Sequence, residues 1–517
     1  MTNRIRAAVL ALILLAGCTS KQVERESTDP NIFQAFEPSR IAQLKKSSPY
    51  LKAHMKNGNV YVFRSWRTDS ITTGITGNAI LYGPSRDALA QGEFALAYDS
   101  IAILESNVLK TSGSAVAMNV FTGITLAVAA ICVANPKACF GSCPTFYVSD
   151  GDTMRLQGEG FSSSVAPSLE ASDVDALYRA RPKNGEVDVL MKNEALETHV
   201  VRWVDLLAVP ILEDCRVFAS ANGTFWESPL QIPPRSAQAP EGDCPSQLLN
   251  VDGRERFSYA DVHDLATKET IELKFDAHPG RTYGLVVACR QSLLPTYLLY
   301  QTFAYMGSSA GEWMAEIERG KFPRGAVNME RLIGGIDASI RQPDGSWRPE
   351  GTIAEHGPLA VDVHLLPLTG VSDSTVTVRL EMTKGTWRID YVALAELSRP
   401  LSPIRIAPSS VIREGNEDTE ALKKLCDSSK VLVTLPGDSY LLKYILPRKN
   451  THYELFLESR GYYIEWIRKE WLEEENPILL SQMFLDPAGS LKRMAPEFKR
   501  VELQMEDCFW RSRYGNQ

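Results

Sequence analysis

Thr375-Val-Thr-Val-Arg-Leu-Glu381 alternates polar and apolar side chains without a break. A period of two is the mark of a strand with one face turned inward. The same period recurs at Tyr50-Leu-Lys-Ala-His-Met55 and Glu186-Val-Asp-Val-Leu-Met191, while Val200–Val209 and Val361–Leu366 have strand composition. Asn57-Gly58, Asp150-Gly151, Asp344-Gly345, Lys384-Gly385 and Pro436-Gly437-Asp438 punctuate these runs, and such residues tolerate the backbone angles of tight turns. A chain patterned this way folds into sheets. At 517 residues it also exceeds what a single hydrophobic core supports, so several domains are expected.

Five short strands fit between residues 46 and 110, at Tyr50–Met55, Val60–Phe63, Ala79–Tyr82, Gly92–Tyr98 and Ile101–Leu104. Their number and spacing resemble a small SH3- or Sm-like barrel. Residues 111–138 follow as an apolar segment, in which Thr111 to Pro136 carries no charge over 26 residues. Its length permits a membrane span. Its Ala- and Thr-rich character, with Asn119 and Gly123 inside, also fits a buried or interfacial helix, and we expect it not to cross. Residues 139–292 read as a β-sandwich-like domain, 293–340 as a helical segment and 341–400 as a further β-domain. Residues 401–517 read as a hairpin plus a helical region, with Tyr463, Trp466, Ile467 and Trp471 on one helix face. The expected class is mostly β, a small barrel plus β-sandwich-like domains with a helical C-terminal element, and multidomain α+β overall.

The N-terminus supplies an address. Arg4 and Arg6 precede an apolar run from Ala7 to Leu15, the layout of a signal peptide. Leu15-Ala16-Gly17-Cys18 then resembles the lipobox of bacterial lipoproteins. That resemblance implies removal of residues 1–17 and acylation of Cys18, and Thr19 in place of Asp resembles outer-membrane sorting. Several acyl chains give stable attachment where one gives little. Polar residues 18–45 read as a tether.

The formal net charge is −8, and losing Arg4 and Arg6 with the leader makes it −10. A nucleic-acid binder needs a basic surface, so the expected partners are the membrane, through lipid on Cys18, and another envelope protein or glycan. Of nine cysteines, eight remain once Cys18 is acylated, in a compartment that permits disulfides. Eight allow about a hundred connectivities. Cys426 and Cys508 are expected to pair, because the final helical segment has too few apolar residues to stand alone and must dock on the body.

Residues with chemical potential are few. Gly307-Ser-Ser-Ala-Gly311 matches the G-x-S-x-G nucleophile elbow, but an elbow follows a strand, and Thr296–Met306 reads as helix. Ser309 is therefore expected at a break between two helices. Asp362 and His364 share a strand face, Asp261-Val-His263-Asp264 reads as a turn, and Cys139-x-x-x-Cys143 lacks redox-motif spacing. Tyr462, Tyr463, Trp466 and Trp471 are expected in the core, and Glu473-Glu474-Glu475 at a solvated helix end. No catalytic residue, metal ligand or cofactor motif is assigned.

Four stretches stand out together: Ser142-Cys-Pro-Thr-Phe-Tyr-Val-Ser-Asp-Gly151, Glu194-Ala-Leu-Glu-Thr-His199, Gly385-Thr-Trp-Arg-Ile-Asp390 and Glu458-Ser-Arg-Gly-Tyr-Tyr-Ile-Glu-Trp466. With the ending Phe509-Trp-Arg-Ser-Arg-Tyr514, they resemble an uncharacterised bacterial envelope lipoprotein family with a Cys-Pro/Asp-Gly β-rich module. The resemblance covers most of residues 50–514 and brings no catalytic residues with it. The function it leaves is a non-catalytic scaffold or binding module on the envelope, with an envelope hydrolase acting on glycan or peptide as the alternative.

Overall fold

The computed structural model describes residues 20–112, 143–319 and 332–514, apart from positions 49, 70–72, 84–87, 152, 163, 213, 355–356, 372 and 450. Strands make up 48% of the structure and helices 21%, so the protein is mostly β.

The first unit is a six-stranded antiparallel sheet. Its strands are β1 (Ser20–Thr28), β2 (Tyr50–Met55), β3 (Val60–Asp69), β4 (Gly74–Tyr82), β5 (Ala88–Ala97) and β6 (Ile101–Ser112), in the order β1-β6-β2-β3-β4-β5. A flat sheet would set β5 and β6 about 19 Å apart, four spacings of about 4.8 Å. Only Tyr98–Ser100 connect them, and a chain that short reaches no more than about 14 Å. The sheet is therefore curled, and Met55 of β2 faces Ile101 soon after Ala97 has faced Gly74 of β4. Leu51, Ala53, Phe63, Ile75 and Leu104 fill the interior with Phe33 and Leu44 from the helices Pro30–Gln34 and Pro38–Ser47.

These helices and β1 correct one expectation. Residues 20–47 are not a tether. Polar composition suggested free chain, yet β1 pairs with β6 at nine successive positions, from Ser20↔Ser112 to Thr28↔Leu104, and backbone pairing is indifferent to side-chain polarity.

Two sandwiches follow, one nested in the other. The outer sandwich packs the Glu186–Lys192 and Ser439–Ile445 sheet on the sheet built around Glu197–Pro210 and Tyr453–Glu465. Those last two strands pair from Glu197↔Glu465 to Pro210↔Tyr453. The inner sandwich packs Lys268–Asp276, Thr375–Thr383 and Ile336–Arg341 on Thr282–Gln291 and Trp387–Leu397. Its strands all lie between Pro210 and Ile404 in sequence. The expected boundaries near 292, 340 and 400 therefore fall inside shared sheets. Alternation shows that a segment is a strand but not which distant strand it joins. A three-stranded sheet of Arg216–Ala219, Phe225–Ser228 and Pro400–Leu401 sits where the chain passes between sandwiches, with Phe225 against Phe456 and Phe218 against Val286.

The Leu294–Met306 helix is apolar around most of its circumference and is correspondingly buried. Trp471 lies 4.4 Å from Phe303, ring centre to ring centre. The helix face expected for Tyr463, Trp466 and Trp471 is corrected: Tyr453–Glu465 is a strand, and helix resumes at Lys469. Tyr462 and Tyr463 accordingly point to opposite sides of it. Tyr462 contacts β1 through the backbone of Val23, and Tyr463 donates to the Ser162 carbonyl at 3.0 Å. Residues 113–142, which include most of the uncharged segment, and Cys18 lie outside the described residues. No described helix is long and apolar enough to cross a membrane.

Candidate functional site

The two sandwiches enclose a cleft of about 650 Å³. One wall comes from strands Met154–Glu159 and Ala171–Ala176, each at the end of its sheet order, with Tyr178 and Arg179 just beyond. The other comes from Arg290, Val363, Arg388 and Asp390 of the inner sandwich and from residues 251–255. Five arginines and three carboxylates line it, in a chain whose net charge is −8.

Most of these charges are held in place. Arg290 is 2% exposed, with two nitrogens on the Glu255 carboxylate and a third donating to the Pro358 carbonyl at 2.9 Å. Arg388 donates to Glu506 at 2.8 Å, its guanidinium 3.9 Å from the Phe257 ring centre. Arg216 donates to Glu454 at 2.9 Å and covers the Tyr178 ring at 4.4 Å. Burial pushes the Asp390 carboxyl up, against a hydrogen bond from the Gly253 amide. Arg179 differs. It is exposed, and among the described residues no carboxylate stands within ion-pair distance. The cleft thus offers fixed guanidinium and carboxylate groups beside tyrosine rings, a surface suited to binding a polar chain.

A second group of charges is buried where the barrel meets the outer sandwich. Glu105 of β6 forms an ion pair with Lys52 and, at 3.2 Å, a hydrogen bond with His54, both on β2. Arg25 of β1 stands 3.8 Å from Glu105 and 3.5 Å from Glu318 of the Ala310–Glu318 helix. All five side chains are at most 2% exposed. Burial pushes Glu105 up, but Arg25 and Lys52 together pull it well below the ordinary carboxylate range. Burial pulls Lys52 down to about 8 against Glu105, lifts Glu318 to about 7 against Arg25 and holds His54 down and neutral. Nearby, Glu197 and Glu465 share a hydrogen bond across the ladder, and burial lifts Glu465 to about 8 against Arg468.

The residues singled out for their chemistry do not converge on either place, although the distinctive stretches supply Tyr147, Arg388 and Asp390 to the cleft and Glu197 and Glu465 to the buried group. Gly307–Ser309 is a short 3₁₀ turn between helices, as expected. Ser309 donates to the Met306 carbonyl at 2.6 Å, and Glu475 holds Ser308 through its amide and hydroxyl. Asp362 and His364 are 3.9 Å apart on one strand, and no described group of three metal-ligating side chains exists. Asp261 caps its own turn by accepting from the His263 and Asp264 amides. Trp466 and Trp471 are core residues. Cys143 is a buried free thiol, and Cys139 lies outside the described residues.

The expected Cys426–Cys508 pair falls partly outside the described residues, which include the Cys426 side chain but not that of Cys508. Cys426 is a free, exposed thiol at the end of the Thr419–Leu425 helix, 3.8 Å from the Pro408 carbonyl. The C-terminal helix docks on the body. Its Glu502 accepts from the Ala260 amide and its Glu506 from the Leu293 amide.

Neither the arginines of the cleft nor the Arg25 cluster was assigned a role from sequence. The signal for the cluster lay in Lys52 and His54, which alternate with Leu51, Ala53 and Met55 and read as a solvated face. Both faces of β2 are in fact buried.

No protein-family model and no curated protein matches the chain. Among solved structures, a GH31 alpha-xylosidase from Xanthomonas citri aligns with 81% of this chain and 37% of its own, at 9% identity and a TM-score of 0.15. The chain spans little more than a third of that enzyme's length, and a likeness at this score carries no argument.

Proposed function

We propose that the protein is a lipid-anchored outer-membrane lipoprotein of the resembled family. It serves as a non-catalytic binding module whose inter-sandwich cleft holds another envelope component, a protein segment or a glycan. The cleft is the observation that carries this reading. Its walls come from two sandwiches that are tied together by the nested chain, and its ionisable groups are largely engaged in fixed ion pairs rather than poised for proton transfer. Such groups position a polar ligand without being consumed. The lipobox supports the anchor, and the acidic net charge leaves attachment to the acyl chains.

The test compares envelope components retained by the acylated protein and by Arg179→Glu. Arg179 is exposed, so the substitution reverses a charge on the cleft wall without disturbing the core. A component retained by the first and lost from the second supports the reading. Identical retention, or turnover of glycan or peptide by the purified protein, overturns it.

A further inference from the structure

We propose that the corner where β1 begins is a membrane-contacting face, and that the body is held directly against the bilayer without a leash. The inference rests on the acylation of Cys18 proposed above. β1 starts at Ser20, two residues after Cys18, so the acylated residue lies within about 7 Å of the first strand position. A free chain over residues 18–45 would instead have a root-mean-square reach of about 30 Å.

The strand cannot lend its own length to the reach. It is held by nine register positions against β6 and by the Tyr462 hydroxyl on the Val23 amide at 2.6 Å. The Arg25 side chain is 0% exposed between Glu105 and Glu318. Peeling β1 away would take Arg25 from the buried Glu318, leave Glu105 with the Lys52 cation, and carry a guanidinium past apolar side chains that include Val23, Val200 and Ile464. Ser112 faces Ser20 across the ladder, so the end of β6 shares the membrane-proximal corner.

The experiment uses the full chain, acylated in cells and reconstituted into phosphatidylethanolamine–phosphatidylglycerol vesicles that carry an energy acceptor on their headgroups. A fluorescent amino acid replaces Ser112. A second protein carries a Gly/Ser insertion of about twenty residues between Thr19 and Ser20, long enough to restore a flexible reach. Strong transfer from position 112 that is lost on insertion is the expected result. Equal transfer in the two proteins, whether high or low, overturns the inference. Vesicle flotation separates the two readings. Protein that floats with low transfer overturns only this inference, whereas protein that does not float overturns the acylation of Cys18 and this inference with it.

Discussion

Replacing Glu105 with Gln tests the buried cluster that joins the barrel to the outer sandwich. The amide keeps the shape of the side chain but removes the charge facing Lys52 and Arg25, whose side chains are 0% exposed. Removing one partner of a buried ion group costs roughly 3–5 kcal/mol, since the remaining charge stays out of water. Glu318 remains 3.5 Å from Arg25, so the lower end, about 3 kcal/mol, is expected. In a unit the size of the barrel each kcal/mol lowers the midpoint by about 4–8 °C, giving a fall on the order of 12–24 °C in its transition. Calorimetry reads the midpoint, and hydrogen exchange assigns it to β1, β2 and β6. Lys52 has a partial escape, because burial already pulls it down to about 8. The loss is therefore smaller at pH 9, where the amine is largely neutral, than at pH 7. Adding Lys52→Met to Glu105→Gln returns part of the stability. A single-variant loss under about 1 kcal/mol at pH 7 would show that the cluster is not desolvated, and the reasoning would fail.

Three further outcomes follow from the geometry. Burial lifts the Glu318 carboxyl from 4.5 to about 7, so its contribution to stability is fully present below pH 4.5 and is lost as the pH rises to about 7. Glu318→Gln, which imitates the protonated acid, should flatten urea-measured stability over that window; an unchanged slope contradicts the assignment. Cys426 is exposed and free, so a maleimide should label it in the unreduced native protein, and recovery of a peptide linked through Cys426 would refute this. Ser309, committed to the Met306 carbonyl, should remain unlabelled by fluorophosphonate probes, and labelling abolished by Ser309→Ala would reopen hydrolase chemistry.

Individual strands were legible from alternation and turn residues because both are local signals. All five barrel strands were found this way, and so was the helical break at Gly307. The sixth strand was not, since Ser20–Thr28 is polar and is recruited by pairing with β6 rather than by burying an apolar face of its own. Nesting was also invisible, because the partnership of Glu197–Pro210 with Tyr453–Glu465 leaves no mark in either segment alone. Tyr462-Tyr463 and Trp466 read as helix because aromatic spacing of three and four fits a helix face. The structure places both tyrosines on a strand buried on both sides, where a period of two no longer separates polar from apolar residues. The cleft was hidden for a related reason. Its arginines come from segments far apart in sequence, four from strands and Arg179 from the turn after one, and each alone is an ordinary residue of its segment.

The most direct test of the binding role places a photo-crosslinking amino acid at Gln157, on the cleft wall, in the acylated protein in cells. The account predicts one discrete adduct with an envelope component. It should be weakened by Arg179→Glu and absent when the same probe replaces the exposed Lys423 of the Thr419–Leu425 helix. No adduct from Gln157, or equal adducts from both positions, would contradict the cleft as the binding site.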